Sequence, residues 1–455
     1  MKKVLSVLLS AIILISSCFC FNLVSFADDN YKCGENAYFT IENDVMTITG
    51  TGEINFNRQI YSEPKHIIIC NGITSIGNLS FNGWENIQSI QLPNTLENIG
   101  DFSFTNVKLK EINFPNSLKT IGEFALCDIQ VENLVLPQNI EFIGKQAFDS
   151  ISSKTVTING NTKFNERVFC CAENLKTVYV NGNCKFGSEE FIGCSSLESV
   201  VFSNNVTQIA SFAFEQSSIK NVTIPSSVKT IGKEAFAYCK NLNTVILNEG
   251  LEEIGRDAFY SCNKIDKITI PSTVKKANNA FGECKNLKKV TIKNNFVDEG
   301  EFFGCKNLTT IKFPKNLKEI KDYGFKECFK LKTVKLPESL KSIGFEAFME
   351  CENIKSISFP KNLTTVKSGA FNDCKKLEQV KFNKKLKKIG SYAFSNTNIK
   401  TYNVPKNVNT IGSHAFGFNR YFNEQTSNNY YIKKSGIKIK GSNKATKQYK
   451  SKYKF

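Results

Sequence analysis

Histidine occurs only twice in the 455 residues, methionine three times and tryptophan once, and so thin a supply of imidazole argues against a histidine-based active site. His66 and His414 stand far apart in the chain, and neither has a nucleophile or carboxylate arranged around it by motif. His414 falls in a variable slot expected to face solvent. No Cys-x-x-Cys, phosphate-binding glycine loop or EF-hand pattern occurs, so no metal site and no cofactor are expected. Carboxylate pairs such as Glu252 and Glu253 look like decoration of solvated corners. No nucleic-acid reading module accompanies the positive charge. Beyond Val24 no stretch is apolar enough to cross a bilayer, and no Leu-Pro-x-Thr-Gly sorting signal is found. An enzyme is not expected.

The net charge of +17 is concentrated at the ends. Residues 431–455 hold nine lysines and no acidic residue, and Lys2 and Lys3 add two more, which leaves about +6 for the body. Lys2 and Lys3 precede an apolar run from Val4 to Val24, and Ser25-Phe26-Ala27 has the small-x-Ala form that signal peptidase accepts. Residues 1–27 are therefore expected to be an export signal, which places the protein outside the cell or on its surface. Ile15-Ser16-Ser17-Cys18 offers a rival reading, a lipoprotein box with Cys18 lipidated.

What is abundant is phenylalanine, 38 residues, and cysteine, 16 residues, and both recur in register. Ile231-Gly232-Lys233-Glu234-Ala235-Phe236 returns as Ile254-Gly255-Arg256-Asp257-Ala258-Phe259, Ile343-Gly344-Phe345-Glu346-Ala347-Phe348 and Ile389-Gly390-Ser391-Tyr392-Ala393-Phe394. Its last position runs Phe81, Phe104, Leu126, Phe148, Phe169, Phe191, Phe214, Phe236, Phe259, Phe281, Phe302, Phe325, Phe348, Phe371, Phe394 and Phe416, in steps of 21 to 23 residues. A fixed period in this range is the mark of a leucine-rich repeat solenoid with about 16 repeats.

Each repeat also carries an alternating segment, as in Leu331-Lys332-Thr333-Val334-Lys335-Leu336-Pro337, which predicts a short parallel strand ended by proline. Nine of the ten prolines stand at this one place. The Ile-Gly-x-x-Ala-Phe segment is then the return side, with Ala and Phe filling the space behind the sheet. A lone repeat buries too few apolar side chains to offset the ordering of its backbone, so stability must come from stacking.

Residues 28–65 are expected to be an N-terminal β-hairpin cap, with strands Tyr38 to Ile41 and Val45 to Thr49 around Asn43-Asp44. The solenoid occupies 66–419 and starts with the strand His66 to Ile69. Residues 420–455 comprise a loop to about 436, a strand holding Ile437 and Ile439, a short helix from Ala445 to Tyr449 capped by Ser442 or Asn443, and a basic tail.

These features resemble the BspA-like leucine-rich repeat proteins of bacterial and protist surfaces. The resemblance covers residues 31 to 455 and rests on Cys33-Gly34-Glu35-Asn36, Ile48-Thr49-Gly50-Thr51-Gly52, the Ile-Gly-x-x-Ala-Phe-x-x-Cys repeats and Gly-Ile-Lys-Ile-Lys-Gly at 436–441. It implies a cell-surface or secreted solenoid, similar to adhesins that bind host extracellular proteins. The chain departs from the repeat at Phe164-Asn165, Phe186-Gly187, Lys276-Ala277 and Val297-Asp298.

Cys194, Cys239, Cys262, Cys284, Cys305, Cys328, Cys351 and Cys374 all follow the register phenylalanine by three residues and so form a file about 5 Å apart. Parallel side chains at that spacing suit neither a disulfide nor a converging tetrahedral zinc site, and the thiols are expected to be buried fillers. Cys33, Cys70, Cys127, Cys170, Cys171 and Cys184 lie off the file, and a bridge among them is left open.

The variable positions lie on the outer side of the strands. Tyr179, Val201 and Ile246 make a partly apolar stretch there, and Lys288, Lys289, Lys312, Lys332, Lys335, Lys355 and Lys381 a basic one. This face is the expected site for an acidic protein or an anionic glycan, of host matrix or of the cell's own wall. Lysine used only to keep a parallel sheet soluble is the plainer alternative. The lysines from Lys433 to Lys454 admit a similar pair of readings, retention on anionic wall polymer or lipid by charge, or a solubilising cap. Two functions follow, an adhesin-like binding solenoid and a self-associating structural component of the envelope.

Overall fold

The computed structural model describes residues 31–56, 64–182, 184–423 and 428–455, and the chain forms two units, Met1–Cys184 and Lys185–Phe455. The expected export signal and Cys18 fall outside the described residues. Each unit is a solenoid of stacked coils, and all sixteen register positions are fully buried. No helix among the described residues is long and apolar enough to cross a membrane.

The first unit opens with an antiparallel hairpin, Asn36–Glu42 against Val45–Ile54. Asn43 and Asp44 turn it at φ 50° and 65°, the left-handed pair that a two-residue turn needs to match strand twist. The second hairpin strand starts two parallel ladders. Its residues 45–48 pair with His66–Ile69, which pairs with Ser89–Gln91. Its residues 52–54 pair with Ile73–Ile76, and that ladder continues through Asn98–Ile99, Thr120–Ile121, Phe142–Ile143 and Lys163–Phe164. The Ile-Gly side is thus a ladder in its own right and not plain return backbone. Two-residue strands escape a search for alternation, which needs four or more residues to show.

In the second unit this Ile-side ladder runs unbroken from Phe296–Val297 through Glu319–Ile320, Ser342–Ile343, Thr365–Val366 and Lys388–Ile389 to Thr410–Ile411. The glycine here serves close approach. A Cβ on Gly232 would lie 2.3 Å from the Ser211 backbone nitrogen, and one on Gly344 would lie 2.4 Å from the Lys321 carbonyl carbon. The strand expected at 331–337 is not formed. Val334 is still buried and Lys335 exposed, so hydrophobic alternation persists without the ladder bonds, and the Ile side keeps the coil in register.

The x-x-Ala-Phe-x-x turn makes a third ladder. Glu234, Phe236 and Tyr238 donate their N–H groups to the carbonyls of Arg256, Ala258 and Tyr260 at 3.0, 2.8 and 2.8 Å. Glu234 and Tyr238 sit at φ 52° and 59°, and the same two slots are left-handed at Asp257 and Ser261 and again at Tyr323 and Glu327. Each such residue costs about 1 to 2 kcal/mol, which the cross-coil bonds and the packing behind them offset.

That packing is a column of rings. From Phe191 to Phe416 ten successive pairs stack at centroid distances of 5.0 to 5.9 Å with planes within 18° of parallel. Beside it runs the cysteine file, fully buried. Its thiols do more than fill space. Cys239, Cys262, Cys284, Cys305, Cys328, Cys351 and Cys374 each donate to the carbonyl of the register phenylalanine one coil earlier, at 3.0 to 3.4 Å. Burial pushes Cys284 up to about 12 and holds Cys262, Cys305, Cys328 and Cys374 well above the ordinary thiol range, so they stay protonated donors.

Two of the departures from the repeat are one device. Glu301 takes the buried Ala slot and accepts from the Asp298 N–H at 2.8 Å, while Asp298 in the Gly slot accepts from the Ala277 N–H at 2.7 Å and from Lys321 Nζ at 2.9 Å. Desolvation raises the Glu301 carboxyl to about 8.

The segment expected as a loop after residue 420 is a second hairpin, Phe418–Asn423 against Asn428–Lys433. It interrupts the 22-residue period, so its pairing is invisible to a search by repeat. His414 is accordingly not a solvent-facing residue. Its ring stacks on Tyr392 and Tyr431 at 5.4 and 5.1 Å, with Phe418 edge-on, and burial lowers its pKa. The final strand, Lys438–Lys440, pairs with Thr401–Asn403. Asn443 caps the helix Lys444–Tyr453 by accepting from the Thr446 N–H at 2.7 Å, and Tyr449 Oη meets the Phe416 N–H and carbonyl at 2.9 and 3.0 Å, covering the last coil.

Candidate binding face

Period-two alternation decides which side chains reach solvent, and coil-on-coil register sets equal positions in rows. In the second unit Lys267 lies opposite Lys289, and Thr269, Thr291 and Lys312 follow one another in the next row. Ser358 lies opposite Lys381 two coils further on. Lys288, Lys289, Lys312, Lys332, Lys335, Lys355 and Lys381 are all exposed; alternation accounts for Lys289, Lys312, Lys335 and Lys381, while Lys288, Lys332 and Lys355 stand one residue before the outward strand positions. Lys332 and Lys335 stand in the coil without a strand, so their backbone is held only by its neighbours.

Three further lysines belong to this face. Lys267 sits one coil before Lys289, in the same row. Lys438 and Lys440 are brought to the face by the final strand, opposite Thr401 and Asn403. The intervening hairpin hides that neighbourhood from any fixed-period reading. The basic tail is therefore structured, and Lys433 Nζ turns back onto the helix end, donating to the Tyr453 and Lys454 carbonyls at 3.3 and 2.7 Å.

None of these ten face lysines has an acidic partner within 4.0 Å among the described residues, although Asp266 and Glu378 lie on neighbouring positions. Ion pairs of the unit form elsewhere, such as Lys275–Glu252 at 2.6 Å, Lys276–Glu253 at 2.6 Å and Lys321–Asp298 at 2.9 Å. Like charges directly opposite on adjacent strands repel, so the Lys267–Lys289 arrangement costs stability in the free protein and favours an anionic partner.

The apolar residues divide between the units. Tyr179, 40% exposed, belongs to the first, in a row with Thr157 and Val135, the last 53% exposed and not singled out in the sequence. Val201 and Ile246, 47% and 48% exposed, belong to the second, where Ile246 lies opposite Thr223.

Among the described residues neither face contains a nucleophile, base and carboxylate set together. His66 Nδ1 meets Ser89 Oγ at 2.8 Å, with no carboxylate completing a relay among the described residues. Recesses such as the 460 Å³ groove beside Ser272, Lys275, Lys293 and Asn295 are corners between loops. Converging metal-ligand side chains occur among the described residues at one place, Asp149, Cys170 and Cys171 of the first unit.

The sequence profile described as BspA type leucine rich repeat region (6 copies) matches residues 53–176, 124–238, 207–301 and 295–423. No curated protein matches the chain. Among solved structures, a leucine-rich repeat protein from Bacteroides ovatus shares 24% identity at a TM-score of 0.57, covering 84% of this chain and 99% of that one. A leucine-rich cell-surface protein from Faecalibacterium prausnitzii shares 22% identity at a TM-score of 0.36, covering 86% of this chain and 95% of that one.

Proposed function

The chain belongs to the BspA-type leucine-rich repeat family, and from that premise we propose that it is an exported, non-catalytic binding protein, adhesin-like, whose second unit docks an acidic protein or anionic glycan on its strand face. The observation that carries this reading is the set of exposed lysines from Lys267 to Lys440 with no acidic partner within ion-pair reach among the described residues. A rigid array of cations at coil spacing favours a repeating polyanion, because each contact is pre-positioned and costs little ordering. Export is supported by the leader-like residues 1–27.

The alternative, a structural component that self-associates through its edges, has less support, because the terminal helix and Tyr449 cover the last coil. Changing Lys312, Lys335 and Lys381 together to Glu tests the proposal. We expect elution from a heparin-like matrix at clearly lower salt. Unchanged elution removes the basic face from consideration, and concentration-dependent growth in light scattering favours self-assembly instead.

A further inference from the structure

We propose that Asp149, Cys170 and Cys171 in the first unit bind one thiophilic divalent cation of the zinc type, with water completing its coordination. Asp149 follows Phe148 and Cys170 follows Phe169, so the two occupy one slot in adjacent coils and stacking sets them side by side. The Ser150 N–H, donating to the Cys170 carbonyl at 2.9 Å, fixes that register. Cys171 sits at φ 55°, and this left-handed turn leaves its sulfur 3.1 Å from that of Cys170. The carboxylate oxygen and both sulfurs all lie within 4.8 Å of one another.

Tetrahedral zinc, with Zn–S of about 2.3 Å, wants its sulfurs roughly 3.8 Å apart. The pair need open by less than about 1 Å to reach that, and Cys171 is exposed and has room to rotate. Gln146 Nε2 donates to the Asp149 carboxylate at 3.3 Å, an outer contact of the kind that orients a ligand. Two sulfurs and one oxygen favour zinc, cadmium or cobalt over magnesium or calcium. The buried file cannot compete, because seven of its thiols already point at backbone carbonyls. Cys127, in the same slot one coil earlier, is likewise turned to the Gln146 carbonyl at 3.1 Å. Thiols must give up their protons to bind a metal, so binding should strengthen as pH rises.

The test is titration of the reduced full-length chain with cobalt, read as thiolate-to-metal charge-transfer absorbance, followed by displacement with zinc. We expect one cation per chain. Cys170→Ser and Cys171→Ser should each abolish the absorbance, Asp149→Asn should weaken binding about tenfold or more, and Cys127→Ser should leave it unchanged. Zinc should also protect Cys171 of the unmodified protein from alkylation, a readout that needs no variant to fold. Absence of the charge-transfer band, its persistence in Cys171→Ser, or alkylation of Cys171 unaffected by zinc each overturns the proposal.

Discussion

Replacing Glu301 by Gln should flatten a pH dependence that the wild-type fold carries. The carboxyl is fully buried, one oxygen accepting from the Asp298 N–H at 2.8 Å and the other without a partner. Its pKa rises from 4.5 to about 8, chiefly through desolvation and further through the Asp298 carboxylate, while the hydrogen bond from the Asp298 N–H and, less strongly, Lys321 oppose the rise. Between those values the folded state holds a proton that the unfolded state has lost. Stability conferred by this group is therefore present below about pH 4.5 and is lost progressively as pH climbs to about 8. At about 1.4 kcal/mol per unit, the loss across the window is roughly 3 to 5 kcal/mol. If the second unit melts cooperatively, that corresponds to a Tm fall of roughly 6 to 10 °C. Glutamine keeps the acceptor and cannot ionise, at the cost of burying an amide N–H₂ where the free oxygen lies. The assay is Tm of both proteins from pH 5 to pH 9. The difference between them should change by several degrees in favour of the variant as pH rises, and a constant difference would refute the reasoning.

Other substitutions probe the stack. Phe259 lies between Phe236 and Phe281 at 5.2 and 5.1 Å, so Phe259→Leu, which forfeits two ring contacts, should cost about 1 to 3 kcal/mol and Phe259→Ala about 3 to 5 in urea unfolding. Equal losses for both would show that ring stacking contributes nothing. Gly232→Ala forces a Cβ to within 2.3 Å of the Ser211 nitrogen, and should destabilise by more than about 2 kcal/mol where an exposed turn glycine would not. Cys305→Ser should cost less than about 1.5 kcal/mol by the same assay, because Ser217 and Thr397 already fill that slot and donate to the phenylalanine carbonyls of their own coils, Phe214 and Phe394, at 2.8 and 2.9 Å. A larger loss would mean that sulfur packing outweighs the hydrogen bond.

The solenoid was legible because burial is periodic: a phenylalanine every 21 to 23 residues and a proline at one corner leave little freedom in how the coils stack. The left-handed pairs were not legible, since Glu234, Tyr238, Asp257 and Ser261 carry no mark of their conformation, which the ladder to the next coil imposes. Glu301 left a partial trace, because the departure at Val297-Asp298 announces a coil built differently without revealing a buried acid. Alternation identified Lys289, Lys312, Lys335 and Lys381, but Lys438 and Lys440 join them across a hairpin that no repeat-based reading spans. Cys170 and Cys171 stood apart from the file in sequence, yet only the coil register brings Asp149 to them.

The docking proposal is tested most directly by lysine acetylation of the intact protein, with and without a heparin-like polyanion, read residue by residue by mass spectrometry. Protection of Lys267, Lys289, Lys312, Lys335 and Lys381, with Lys275 and Lys276 on the paired side still reactive, is the predicted result. Protection confined to the helix lysines Lys444 and Lys447, or none at all, would contradict it.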